Sequence, residues 1–158
     1  MDIKNLKPQK NSRFKQGYFT AKFPEKYIGD FSKIIYRSSW EYKFMCSVDI
    51  NPAVLRWASE PTKIPYYSPI DNKIHNYFVD FFVIIEKDGN KESWLLEVKP
   101  ISQTKKPVLE GKHTVKKLQS YNWNLKAYII NKAKFAAATT FAESRGMKFG
   151  VCTESFFL

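Results

Sequence analysis

The chain has 158 residues, 44% of them hydrophobic, with 26 Lys and Arg against 15 Asp and Glu for a formal charge of +11. That is enough apolar content for one domain with a real core and hardly enough for two. Two cysteines far apart, Cys46 and Cys152, and two histidines, His75 and His113, exclude a disulfide framework, a zinc cluster and hydrolases built on several histidines.

The charge is segregated. Residues 1–37 carry +6, residues 38–98 carry −3 and residues 99–158 carry +8. An acidic centre between basic flanks suits a nuclease, with carboxylates for a metal and Lys and Arg around them for phosphates. A solvated basic surface or a membrane-contacting face would account for the sum but not for the acidic middle. The opening residues Met1-Asp2-Ile3-Lys4-Asn5 lack the apolar core of a signal peptide. No apolar run approaches the roughly 18 residues of a membrane span. A protein that is neither secreted by that route nor membrane-bound is expected. There is no G-x-x-x-x-G-K-[ST] loop, so no nucleotide cofactor is expected.

In chain order, residues 1–30 are polar, basic and without clear period, which reads as an extended arm that orders on a partner, with the globular domain covering 31–158. Ser38-Ser39-Trp40-Glu41 opens a helix with a capping box; Trp40, Phe44 and Val48 mark its buried stripe and Asn51-Pro52 ends it. Leu55–Ala58 and Thr62–Tyr67 are short edge elements, because their prolines exclude a central position. Tyr77–Ile85 and Ser93–Lys99 are strands, joined through Lys87-Asp88-Gly89-Asn90, a strong hairpin signal. Further on, the pattern predicts a helix over Glu110–Tyr121, a strand over Leu125–Ile130, a helix over Lys132–Arg145 stopped by Gly146 at C′, and a final strand over Met147–Cys152. With a β-α-β crossover this gives an α/β domain with a mixed central sheet flanked by helices.

The hairpin register locates the chemistry. With Asp88-Gly89 as the two-residue turn, Lys87 pairs with Asn90 and Asp80 falls opposite Glu97. Facing carboxylates roughly 4.5–5.5 Å apart at Cβ repel unless a cation lies between them. Side chains alternate along a strand, so Lys99 shares the face of Glu97 at roughly 6.6 Å while Val98 points the other way. Asp80 and Glu97 would hold an oxygen-loving Mg²⁺, with the Val98 carbonyl as third ligand. Lys99 would position the attacking water or stabilise the pentavalent phosphorus. Basic side chains near the first helix, Arg37 and Lys43, and in the basic segment, Lys112, Lys116 and Lys117, are candidate phosphate contacts that position double-stranded DNA without reading its sequence. The bland alternative is an ion pair of two acids and Lys99 buried in a sheet, which is costly to build and only weakly stabilising.

Asp80 with Glu97-Val98-Lys99 resembles the PD-(D/E)XK nuclease motif, with Val79 in the place of its proline. A closer resemblance lies in Tyr36-Arg37-Ser38-Ser39-Trp40-Glu41, Ser59-Glu60-Pro61, Ile64-Pro65-Tyr66, Glu97-Val98-Lys99-Pro100 and Ala142–Phe149. Together these are similar to the head-completion nucleases of T-even-like tailed bacteriophages, over roughly residues 27–155. The resemblance implies a restriction-endonuclease-like core and a virion-associated DNA endonuclease. Such a protein uses Mg²⁺, with Mn²⁺ as substitute, on packaged DNA before the tail joins. It would touch head and portal-vertex proteins and reside in the virion and, during assembly, in the host cytoplasm. The core is also similar to the endonuclease subunit of heteromeric transposases, where a glutamate on the first helix completes the metal site; Glu41 matches it and Glu60 is a weaker candidate. Gln119 would correspond to a polar helix residue that contacts the scissile phosphate in related nucleases, although a solvated helix face is the stronger reading for it. Against this stands a DNA-binding or head-closing structural protein that keeps the fold without the chemistry.

Overall fold

The computed structural model describes residues 16–157. Strands β1 (Gly17–Tyr18) and β2 (Ile35–Tyr36) pair ahead of helix α1 (Ser39–Ile50). Strands β3 (Val54–Ser59), β4 (Lys63–Ser68), β5 (Lys73–Phe78), β6 (Phe81–Lys87) and β7 (Asn90–Val98) follow. Helix α2 (Val115–Glu143) and strand β8 (Lys148–Cys152) complete the domain. The central sheet runs β3-β6-β7-β8, antiparallel except for the parallel pair β7 and β8, which α2 connects. Strands β4 and β5 form a separate antiparallel hairpin. The expected mixed α/β sheet flanked by helices is the observed fold.

Alternation along the strands divides the core in two. Phe81, Val83 and Val98 face α1, where Phe44, Met45 and Val48 meet Trp57. Leu95 faces α2, where Ala138 and Ala142 meet Ile64, Tyr66, Tyr77 and Val79 from the β4–β5 hairpin. Helix α1 begins as its sequence demands: the Ser38 hydroxyl accepts from Glu41 N–H at 3.1 Å. At the far end of α2, Gly146 at φ +68° lets its N–H reach the Glu143 carbonyl and the Met147 N–H reach that of Ala142. These two bonds are the Schellman pattern with Gly146 at C′.

Three expectations need correction. First, residues 17–30 are part of the domain, not an arm. Phe19 is buried in the α1 core, Tyr27 stacks edge-on against Trp57 at 4.8 Å, and Lys26 Nζ donates to the carbonyls of Val48, Asp49 and Asn51. A cation on the last carbonyls of α1 both satisfies orphan acceptors and complements the helix dipole. The expectation for residues 1–15 lies outside the described residues. Phe19→Ala should therefore cost about 3–5 kcal/mol in denaturant unfolding; an effect near zero would restore the arm.

Second, the strand predicted over Tyr77–Ile85 is two strands that change sheet at Val79-Asp80, where the Asp80 carbonyl accepts from Glu60 N–H at 2.8 Å. Third, the strand predicted over Leu125–Ile130 is the middle of α2. The helix starts at Thr114, whose hydroxyl accepts from Lys117 N–H at 3.2 Å, and not at Glu110. The sequence from Lys112 to Arg145 has neither Gly nor Pro to break it, and the local β preference of Tyr128-Ile129-Ile130 yields to that continuity. The crossover is thus β7–α2–β8. Among the described residues no helix is long and apolar enough to cross a membrane.

Candidate active site

The β6–β7 turn has Asp88 at φ +52° and Gly89 at φ +75°, the two positive values a type I′ hairpin requires. Lys87 pairs with Asn90 and the ladder runs to Phe81 opposite Leu96. Asp80 follows one residue beyond the ladder, in line with Glu97, and its Oδ2 accepts from Val98 N–H at 2.8 Å. The carboxylate thereby caps the open end of β7 and is held at the site.

Glu97 is 5% exposed, and both its oxygens are engaged. Lys99 Nζ lies 3.1 Å from Oε1, and the Tyr77 hydroxyl donates to Oε2 at 2.5 Å. The Lys99 backbone is fixed in turn by its N–H to the Cys152 carbonyl at 2.9 Å. Val98 turns its side chain into the α1 core, as alternation requires.

The acids outnumber their local partners. Burial, then the charges of Glu97 and Glu41, push the Asp80 carboxyl well above its ordinary range, against the Val98 N–H and the Lys99 charge. Burial also raises Glu41, with Glu60 adding to it while the Arg37 N–H draws it down. Burial followed by the Glu97 charge raises the Tyr77 hydroxyl, so it stays a donor. Two close carboxyl groups, one held back from ionising, form a hard oxygen donor set. A cation drawn to these oxygens would compete with Lys99 or Tyr77 for Glu97.

The other expected residues are distributed unevenly. Glu41 serves the helix start: its Oε2 accepts from Arg37 N–H at 2.8 Å, and among the described residues no three acids, histidines or cysteines gather as a ready metal cage. Arg37 is in the same cluster, but its guanidinium grips Glu60 at 2.7 and 3.3 Å, which stands against its expected role as an open phosphate contact. The exposed Lys43 of α1 lies over the Trp40 ring at 5.1 Å. Lys112 precedes α2; Lys116, Lys117 and Gln119 lie in its first two turns, all exposed, with Lys117 Nζ on the Glu110 carbonyl at 2.9 Å. Gln119 is about four turns of helix before Lys134.

The α2 residue that faces the acids is Lys134, about 22 Å further along the helix. Its ammonium sits 5.7 Å over the Tyr66 ring and 5.5 Å over that of Tyr77. Burial lowers its pKa and Lys99 adds to that, while Glu97 and Asp80 act the other way. Sequence reading missed it because splitting α2 hid the period. On one continuous helix, Lys134 is a lone cation among Ile130, Ala133, Ala137, Ala138 and Phe141. Tyr77 was missed for a similar reason, since an unbroken strand would have turned it away from Glu97.

The profile of the TnsA-like endonuclease N-terminal family matches residues 51–154. The head completion nuclease of Enterobacteria phage T4 is 35% identical over 138 residues, covering 87% of this chain and 90% of that protein. The matched segments include β3 through β8 and so contain Asp80, Glu97 and Lys99.

Proposed function

Because the chain belongs to the TnsA-like endonuclease family, we propose that it is a Mg²⁺-dependent DNA endonuclease that cuts packaged phage DNA during head completion. The observation that carries this reading is the convergence of Asp80, Glu97 and Lys99 at one end of the β6–β7 pair. A nuclease role follows from the family; the metal, the double-stranded DNA substrate, the stage of action, the head and portal-vertex partners and a place in the virion and the host cytoplasm are our reading, supported by the relative's name.

Asp80, Glu97 and the Val98 carbonyl would hold Mg²⁺ or Mn²⁺, with Glu41 as a further ligand. The metal, when bound, supplies Lewis-acid polarisation of the phosphodiester and a water of lowered pKa. Lys99 would then leave Glu97 and turn to the water or the phosphoryl oxygens, where its charge offsets what develops in the transition state. Tyr77 fixes the Glu97 carboxylate from behind, and Lys134 adds a second cation from the α2 side. Tyr77→Phe should lower cleavage by about 10–100-fold, the usual effect of losing a partner that orients a ligand. Single-turnover rates with metal at saturation measure it, and an unchanged rate would remove Tyr77 from the machinery.

A second reading has one observation in its favour. With both Glu97 oxygens engaged by Lys99 and Tyr77, the site is also a closed ion pair. That would suit a DNA-binding or head-closing protein without catalysis. Cleavage of duplex DNA with Mg²⁺, abolished by EDTA and by Lys99→Ala, separates the two: the enzyme requires both losses, whereas binding without cutting supports the structural role.

A further inference from the structure

Helix α2 does two different things along its length. Its second half packs on the sheet through Ala138 and Ala142, while its first half, from Val115 to Lys126, is almost entirely open to solvent. No Asp or Glu occurs between Gly111 and Ala142, so this exposed half carries only positive charge. Its apolar side is separate: Tyr121, Leu125, Tyr128 and Ile129 line a hollow with Lys106.

Trp123 is not on that side. At 3.6 residues per turn it lies about three turns before Lys134 and almost on the same face, and Lys116 lies five turns before Lys134. The face that presents Lys134 to the acids therefore continues outward through Trp123 to Lys116. Trp123 is 77% exposed, the most exposed of the large hydrophobic side chains described. An indole left in water amid lysines, on the site's own side of the helix, matches the pattern by which proteins hold unpaired nucleotides, with cations on the phosphates and an aromatic plane for the base.

We propose that the free half of α2 is a rail for DNA leaving the active site and that Trp123 stacks on an unpaired base. This deepens the nuclease reading and rests on it for the direction of the rail. Trp123 is about 16 Å from Lys134 along the axis, a span of a few nucleotides. The substrate class is DNA with a single-stranded stretch beside the cut, such as a fork, gap or frayed end, in preference to a fully paired duplex.

Tryptophan fluorescence and affinity in EDTA test this without cleavage. The other tryptophans are buried or half-buried, so Trp123 is the one most open to a ligand. Forked or gapped oligonucleotides should quench the wild-type protein more than covalently closed duplex does, and Trp123→Phe should lose that extra quenching. Trp123→Ala should weaken forked-DNA binding by about ten- to a hundredfold, the usual effect of removing one stacking platform, with closed duplex hardly affected and Trp123→Phe restoring most of the loss. Ala at an exposed helical position leaves folding intact. Unchanged quenching and affinity, or an equal loss on closed duplex, would overturn the proposal. A protein that shows the Trp123 effects but never cuts would overturn the nuclease reading instead.

Discussion

Glu97→Ala is expected to lower DNA cleavage by about a thousandfold or more, since several kcal/mol of metal-borne transition-state stabilisation are lost at about 1.4 kcal/mol per factor of ten. Binding to the same DNA should be unchanged or tighter, because a negative charge beside the phosphates has gone. The carboxylate is 5% exposed, held between Lys99 and Tyr77, and in line with Asp80. Lys99 and Tyr77 remain, and both retain hydrogen-bonding capacity toward water. Single-turnover cleavage and filter binding on one preparation give both values. Cleavage at the wild-type rate would show that the catalytic centre lies elsewhere.

Asp80→Asn should remove cleavage to a similar degree and yet raise the melting temperature of the metal-free protein at pH 7. An asparagine oxygen can still accept from Val98 N–H, so the bond that closes the end of β7 survives. What disappears is a buried charge crowded by Glu97 and Glu41. The sign follows from linkage. A carboxyl whose folded-state pKa is raised binds its proton more tightly folded than unfolded, so its ionisation costs stability as pH rises above the unfolded value near about 4. The neutral amide escapes that cost. The gain should therefore be present at pH 7 and shrink toward pH 4, as thermal melts in EDTA across that window would show. A lower melting temperature at pH 7 would mean that Asp80 is held by a favourable ion pair and not in a strained donor set. Loss of activity with gain in stability is what a site kept for chemistry should show.

The hairpin that makes the site was legible because its determinants are local. Asp88-Gly89 selects a type I′ turn, the turn sets the register, and the register aligns Asp80 with Glu97. The Ser38 cap and the Gly146 stop were legible for the same reason. What failed depends on contacts across the fold. Nothing in the continuous apolar run from Tyr77 to Ile85 marks the change of sheet at Asp80, which a bond from Glu60 fixes. Residues 17–30 show no period because they are held one at a time, Phe19 by the core and Lys26 by the end of α1. Tyr128-Ile129-Ile130 reads as a strand in isolation, and that reading concealed both the 29-residue helix and Lys134 upon it.

Incubation of the purified protein with circular, linear and branched duplex DNA and Mg²⁺, Mn²⁺ or EDTA, beside Glu97→Ala and Lys99→Ala, decides whether Asp80, Glu97 and Lys99 form a metal-dependent cutting centre. Cutting with either metal, none in EDTA and none by either variant is the predicted result. Binding without cutting by the wild-type protein, or cutting that survives both substitutions, would contradict it.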